Sequence, residues 1–146
     1  MILAALVLAA QAPTPPAAHL GEIRMHLFYA ETGQLSPDIS PPNAFAGWNT
    51  VIGGGDATGH ADDLVVLAEV RTEGEQFVER PLSIVARGAR GRVLGQRRFA
   101  SVLTSAAGRA YQALWLNNVT CAGDVQVTVT YGAETRTETL QLHCGE

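Results

Sequence analysis

The chain has 146 residues, a formal net charge of −4, 47% apolar residues and only 16% charged ones. That length fits one domain able to bury a core, and the composition excludes a charge-rich disordered chain. Lysine is absent, all ten basic residues are arginine, and the negative balance offers no overall attraction to nucleic acid or anionic lipid.

The first twelve residues, Met1–Ala12, read MILAALVLAAQA. An unbroken apolar run from Ile2 to Ala10, followed by the small-residue pattern Ala10-Gln11-Ala12, predicts a signal peptide. The run falls well short of the ~20 apolar residues a membrane-spanning helix needs. A docked N-terminal helix is the alternative. Residues 13–20, PTPPAAHL, are a Pro/Ala-rich tether without periodicity, and residues 21–146 form the single domain.

From Gly21 the pattern changes. Ile23, Met25, Leu27 and Tyr29 alternate with Glu22, Arg24, His26 and Phe28, the period of two of a half-buried strand. His26 lies on the polar side and reads as a solvated strand histidine. Residues 30–46 hold Gly33 and three prolines, Pro37, Pro41 and Pro42, which forbid a long helix or a central strand. A connection that long is functional or mobile, with Leu35, Ile39 and Phe45 available to pin it to the core.

A short strand is expected over Gly47–Ile52, followed by the polar stretch GGGDATGHADD. Leu64–Arg71 is a strongly apolar strand with Glu73–Glu79 as its exit. Leu82–Arg87 and Arg92–Ser101 make a hairpin about Gly88–Gly91. Ala110–Leu116 follows, with Tyr111 and Trp115 on one face, and Val125–Tyr131 with Thr135–Cys144 make the last hairpin. About eight strands with regular turn signals predict an all-β fold: an antiparallel β-sandwich, loosely immunoglobulin-like, with a closed barrel as the alternative.

Two cysteines in an exported chain predict one disulfide, Cys121–Cys144. The turn Gly132-Ala133 sets a register in which Val125 opposes Leu140, Gly123 opposes Leu142 and Cys121 falls opposite Cys144. A bulge is expected near Ala122–Asp124. At 23 positions apart, the pair does not match the inter-sheet disulfide of antibody domains.

The segments HLFYAETGQLSPDI, WNTVIGGGD with DDLVV, and LQLHCGE resemble small exported hypothetical proteins of GC-rich Gram-negative bacteria over most of the mature chain. The resemblance implies export and assigns no activity or ligand.

Gly53–Gly55 is not a phosphate loop, because a strand rather than a helix N-terminus follows it and no G-K-[ST] occurs. Asp56, His60, Asp62 and Asp63 on the same loop are weak candidates for a divalent cation, and the solvated acidic loop is the preferred reading. No G-x-S-x-G is present and the four histidines are scattered, so no catalytic residue and no cofactor are assigned. Arg87, Arg90, Arg92, Arg97 and Arg98 give the second hairpin +5 with no acid between 87 and 98. Residues 56–79 carry seven acids against Arg71. Mutual compensation of solvated faces is the plain reading, and an anion-facing guanidinium patch is the sharper one. Together these features point to a periplasmic or secreted, non-enzymatic binding module contacting a protein or envelope component, not nucleic acid. The contact surface would be the arginine hairpin and the 30–46 loop. A ligand- or metal-binding protein using the 53–63 loop is the alternative, and a small hydrolase the third.

Overall fold

A computed structural model describes residues 17–47 and 49–144. The leader and most of the tether lie outside the described residues. The alternation that begins the domain does form a strand, β1 (Ala18–Tyr29), and it starts three residues inside the stretch read as tether. β1 pairs antiparallel with β3 (Asp63–Thr72), and β3 with β8 (Arg109–Leu116). The two-residue β2 (Gln34–Leu35) completes one sheet in the order β2-β1-β3-β8.

The second sheet runs β10-β9-β5-β6, from β5 (Leu82–Arg87), β6 (Val93–Phe99), β9 (Gly123–Tyr131) and β10 (Glu134–Leu142). Short β4 (Phe77–Val78) and β7 (Val102–Leu103) pair with each other. In the lettering of immunoglobulin-like sandwiches, strands A-B-E face G-F-C-C′. The two sheets keep open edges, so this is the sandwich and not the barrel. No helix among the described residues is long and apolar enough to cross a membrane.

The core is the set of inward positions of the two sheets. Met25, Leu27, Leu64, Val66, Val70, Leu82, Ile84, Val125, Val127, Val129 and Leu142 are fully buried. Each such side chain contributes about 1.5–3 kcal/mol. β3 reads as a continuous apolar run because it is central in its sheet and its outer face is also covered: Val65 is buried as well.

The strand expected over Gly47–Ile52 is absent. Thr50–Ile52 is instead a 3-10 turn, bracketed by Asn49 and Gly53 in left-handed conformations that an extended ladder excludes. The turn belongs to a long strap, residues 30–62, closing one end of the sandwich. Ile39 is buried and Phe45 packs on the core, whereas Leu35, expected to pin the strap, is 47% exposed. The strap also sheathes the outer edge of β1. Met25 N–H donates to the Asp38 carboxylate at 3.1 Å and Leu27 N–H to Ser36 Oγ at 2.9 Å. Ser36 and Ile39 N–H return bonds to the Leu27 and Met25 carbonyls. His26 joins this edge through Nδ1, 2.8 Å from the Ser36 carbonyl, and so is more than a solvated side chain.

The last hairpin has the expected register, with Leu140 opposite Val125 and Leu142 opposite Gly123. Only Gly132 of the turn pair has positive φ, at 60°, as a type II′ turn requires. Two positions beyond the ladder, Cys121 and Cys144 are disulfide-bonded with Cα atoms 4.7 Å apart. The irregularity lies at Cys121 itself, left-handed in a turn closed by Ala122 N–H on the Val119 carbonyl, and not as a bulge in the ladder.

Candidate functional site

The β5–β6 hairpin carries the arginines. In β5, Leu82, Ile84 and Ala86 point inward, which leaves Ser83, Val85 and Arg87 on the outer face. Across the pair, Arg98 opposes Ser83 and Gln96 opposes Val85. The turn is closed by Gly88 N–H on the Arg92 carbonyl at 2.8 Å, and Arg90 and Gly91 are both left-handed. That conformation presents Arg90 and Arg92 to solvent at the tip. Arg97 lies on the opposite side of the edge strand. Its guanidinium sits 4.6 Å from the Phe99 ring centroid and donates to the Ala113 carbonyl of β8 at 3.0 Å, tying the two sheets together.

Among the described residues none of these five arginines has an ion-pair partner, and Arg90, Arg92 and Arg98 make no side-chain hydrogen bond. Ser83, Gln96, Arg97 and Arg98 line a hollow of about 390 Å³ that has no carboxylate in its wall. Asp56, Asp62, Asp63 and Glu69 are engaged elsewhere, and among the described residues no acid of 56–79 pairs directly with the hairpin. The outer face continues across β9 and β10 as rows of hydroxyls and amides. Thr130 stands opposite Thr135 and Thr128 opposite Thr137, with Gln126 and Thr139 next.

The glycine-loop candidates are not gathered as ligands. The Asp56 carboxylate accepts Ala46 N–H at 2.7 Å, and His60 Nε2 pairs with Asp62 at 3.0 Å. Asp63 accepts the Trp115 indole N–H at 2.8 Å and Asn118 N–H at 3.0 Å. Among the described residues no three His, Cys, Asp or Glu side chains are placed to hold a metal ion.

A carboxylate that sequence reading left unremarked is the most heavily bonded one. Glu69, on the outer side of β3, is fully buried. Arg71 pairs with it at 2.6 Å, Tyr111 O–H donates at 3.2 Å, Glu22 N–H donates at 3.2 Å, and Arg109 lies at 3.7 Å. Burial alone would push its carboxyl up. The Arg71 hydrogen bond, with help from Glu22 N–H and Tyr111, outweighs burial and holds it below its ordinary value. The lid is the register shift between Leu20 and Ile23, where Gly21 presses so closely on Glu69 that a Cβ there would collide with its side chain. The only local signal was Arg71, two residues on and therefore on the same face.

No family model matches the chain, and no curated protein matches it. Among solved structures it is similar to the C-terminal domain of wzt, at 12% identity and a TM-score of 0.44, over 88% of this chain and 74% of that one. That likeness transfers nothing to this chain.

Proposed function

We propose that the protein is an exported, non-enzymatic binding module whose β5–β6 hairpin holds an anionic partner in the periplasm or outside the cell. The observation that carries this reading is the set of five exposed arginines without ion-pair partners among the described residues, beside a hollow walled by Arg97, Arg98, Ser83 and Gln96. Guanidinium forks match carboxylate and phosphate, and the Ser and Gln groups add neutral hydrogen bonds. Arg98 and Arg87 stand four strand residues apart along the outer face, about 13 Å. That spacing suits an extended anion with several charges, such as an acidic protein segment or an array of phosphate headgroups, better than one small ion. The disulfide supports export, since such bonds persist in oxidising compartments.

The test uses Arg90→Gln, Arg92→Gln and Arg98→Gln together, three positions whose side chains bond nothing among the described residues. The probes are phosphatidylglycerol vesicles and a polyglutamate peptide. Wild type should bind at least one at about 0.05 M salt and lose it by about 0.5 M, where the screening length falls to about 4–5 Å. The triple variant should not bind. No binding to either probe, or unchanged binding by the variant, would overturn the reading. Export is checked separately, by an intact mass of periplasmic protein lacking about twelve N-terminal residues.

A further inference from the structure

On the other sheet, at the end where β1 and β8 finish and β3 begins, the register builds a different kind of surface. Phe28 opposes Asp63 across β1 and β3, and continuation of the β3–β8 register brings Asn117 to the other side of Asp63. Trp115 opposes Val65 one row in, on the same outer face, and its ring meets Phe28 edge to face with centroids 4.8 Å apart. Trp115 is 44% exposed although it is large and flat. Its orientation is fixed by the indole N–H bond to Asp63. Asp63 also receives Asn118 N–H, which sets the left-handed turn at Asn118 as the chain leaves β8. Phe28, Ala30, Asp62, Asp63, Asn117 and Asn118 line a hollow of about 320 Å³.

We infer that this corner is a binding site for a neutral saccharide. The hollow offers two carboxylates that accept hydrogen bonds and two amides that both donate and accept. Beside them stands an exposed aromatic wall. A ligand that satisfies both parts needs hydroxyl groups along its edge and C–H groups on its face, which is the chemistry of a sugar ring. A cationic ligand would have to compete with the Trp115 and Asn118 N–H groups that Asp63 already accepts and with the His60 ring that pairs with Asp62. Acidic sugars would meet Asp62 and Asp63 with like charge. The volume is at the low end for small-molecule sites, so the site takes one ring of a chain or a terminal residue. It lies on the face opposite the arginine hairpin and does not depend on it.

The experiment follows the two tryptophan indole signals and the amide signals of Asn117 and Asn118 by proton–nitrogen NMR, with Trp115 assigned through Trp115→Phe. The probes are maltose, cellobiose, lactose and N,N′-diacetylchitobiose, taken to about 20 mM because so open a site binds at about 1 mM. At least one should shift the Trp115 indole and both asparagine signals saturably. Asn117→Ala removes an exposed side chain with no hydrogen bond among the described residues, so the fold is kept. This variant and Trp115→Ala should each weaken the response at least tenfold. The triple arginine variant should leave it unchanged. A silent response to all four sugars, a response to tetramethylammonium or a basic tripeptide alone, or full sugar binding by Asn117→Ala and Trp115→Ala would overturn the inference.

Discussion

Breaking the disulfide, by reductant or by joint Cys121→Ala and Cys144→Ala, tests how the last hairpin is held. The bond closes a loop spanning a sequence separation of 23. Chain entropy for a loop of that size gives about 3 kcal/mol of stabilisation, expressed through the unfolded state. At this chain size roughly 3–5 °C of melting temperature corresponds to each kcal/mol, so the reduced protein should melt about 10 °C lower. The folded hairpin keeps its nine-residue ladder from Glu134–Tyr131 to Leu142–Gly123, and the local loss falls at the open end. There Asn49 N–H bonds the His143 carbonyl at 2.8 Å, and Gly47 packs against the backbone of Gln141. Hydrogen exchange should therefore accelerate at Asn49 and Leu142 and be least altered at Val127 and Val129. Thermal melts with confirmed free thiols provide the first measurement and exchange mass spectrometry the second. A melting shift under about 2 °C, or protection lost first at the centre of β9, would refute the reasoning.

Glu69→Gln should cost about 1–3 kcal/mol at neutral pH, less than for a fully enclosed pair because Arg71 and Arg109 can turn to water. The Glu69 carboxyl is lowered in the folded state from 4.5, so its stabilisation is fully present above that value and is lost as pH falls through the folded one. Urea midpoints should fall as pH drops below about 4.5 in wild type and more shallowly in Glu69→Gln; parallel curves would exclude the carboxylate as the cause. Among the described residues Tyr131 O–H is buried without a hydrogen-bond partner, and burial pushes its phenol up from the ordinary tyrosine range. Tyr131→Phe should accordingly be neutral or stabilising by up to about 1 kcal/mol in urea melts, and a clear loss would show that the hydroxyl is bonded after all.

Much of the sandwich was legible because its signals are local. Leu82–Arg87 alternates cleanly and forms as expected, and the Gly132-Ala133 turn sufficed to set nine residues of register and the cysteine pairing. Pattern failed where partners lie far apart in sequence. Ala18–Leu20 look like tether, yet they pair with Val70–Thr72 of β3. Thr50–Ile52 have strand-like side chains, but Asn49 and Gly53 turn the backbone out of extension. Glu69 reads as a surface acid within an apolar strand, and its cover comes from Gly21 and Tyr111 on the two neighbouring strands. For the candidate site, the arginines and their surplus were visible in the chain. Their lack of carboxylate partners depends on where 56–79 folds, which no spacing rule conveys.

The sheathing of β1 by Ser36, Asp38 and Ile39 has a consequence for how the chain can be altered. A sheet edge closed by side chains of a connection, instead of by a strand, is only as secure as that connection. At this edge, three hydrogen-bonding residues separate β1 from pairing with a strand of a second molecule. Length changes in the strap should therefore be tolerated around Pro42–Ala44 and Gly54–Gly55, where the residues are mostly exposed. Deleting 36–39 would leave the β1 backbone as a template for intermolecular pairing. That short run is what shields the β1 backbone from intermolecular pairing.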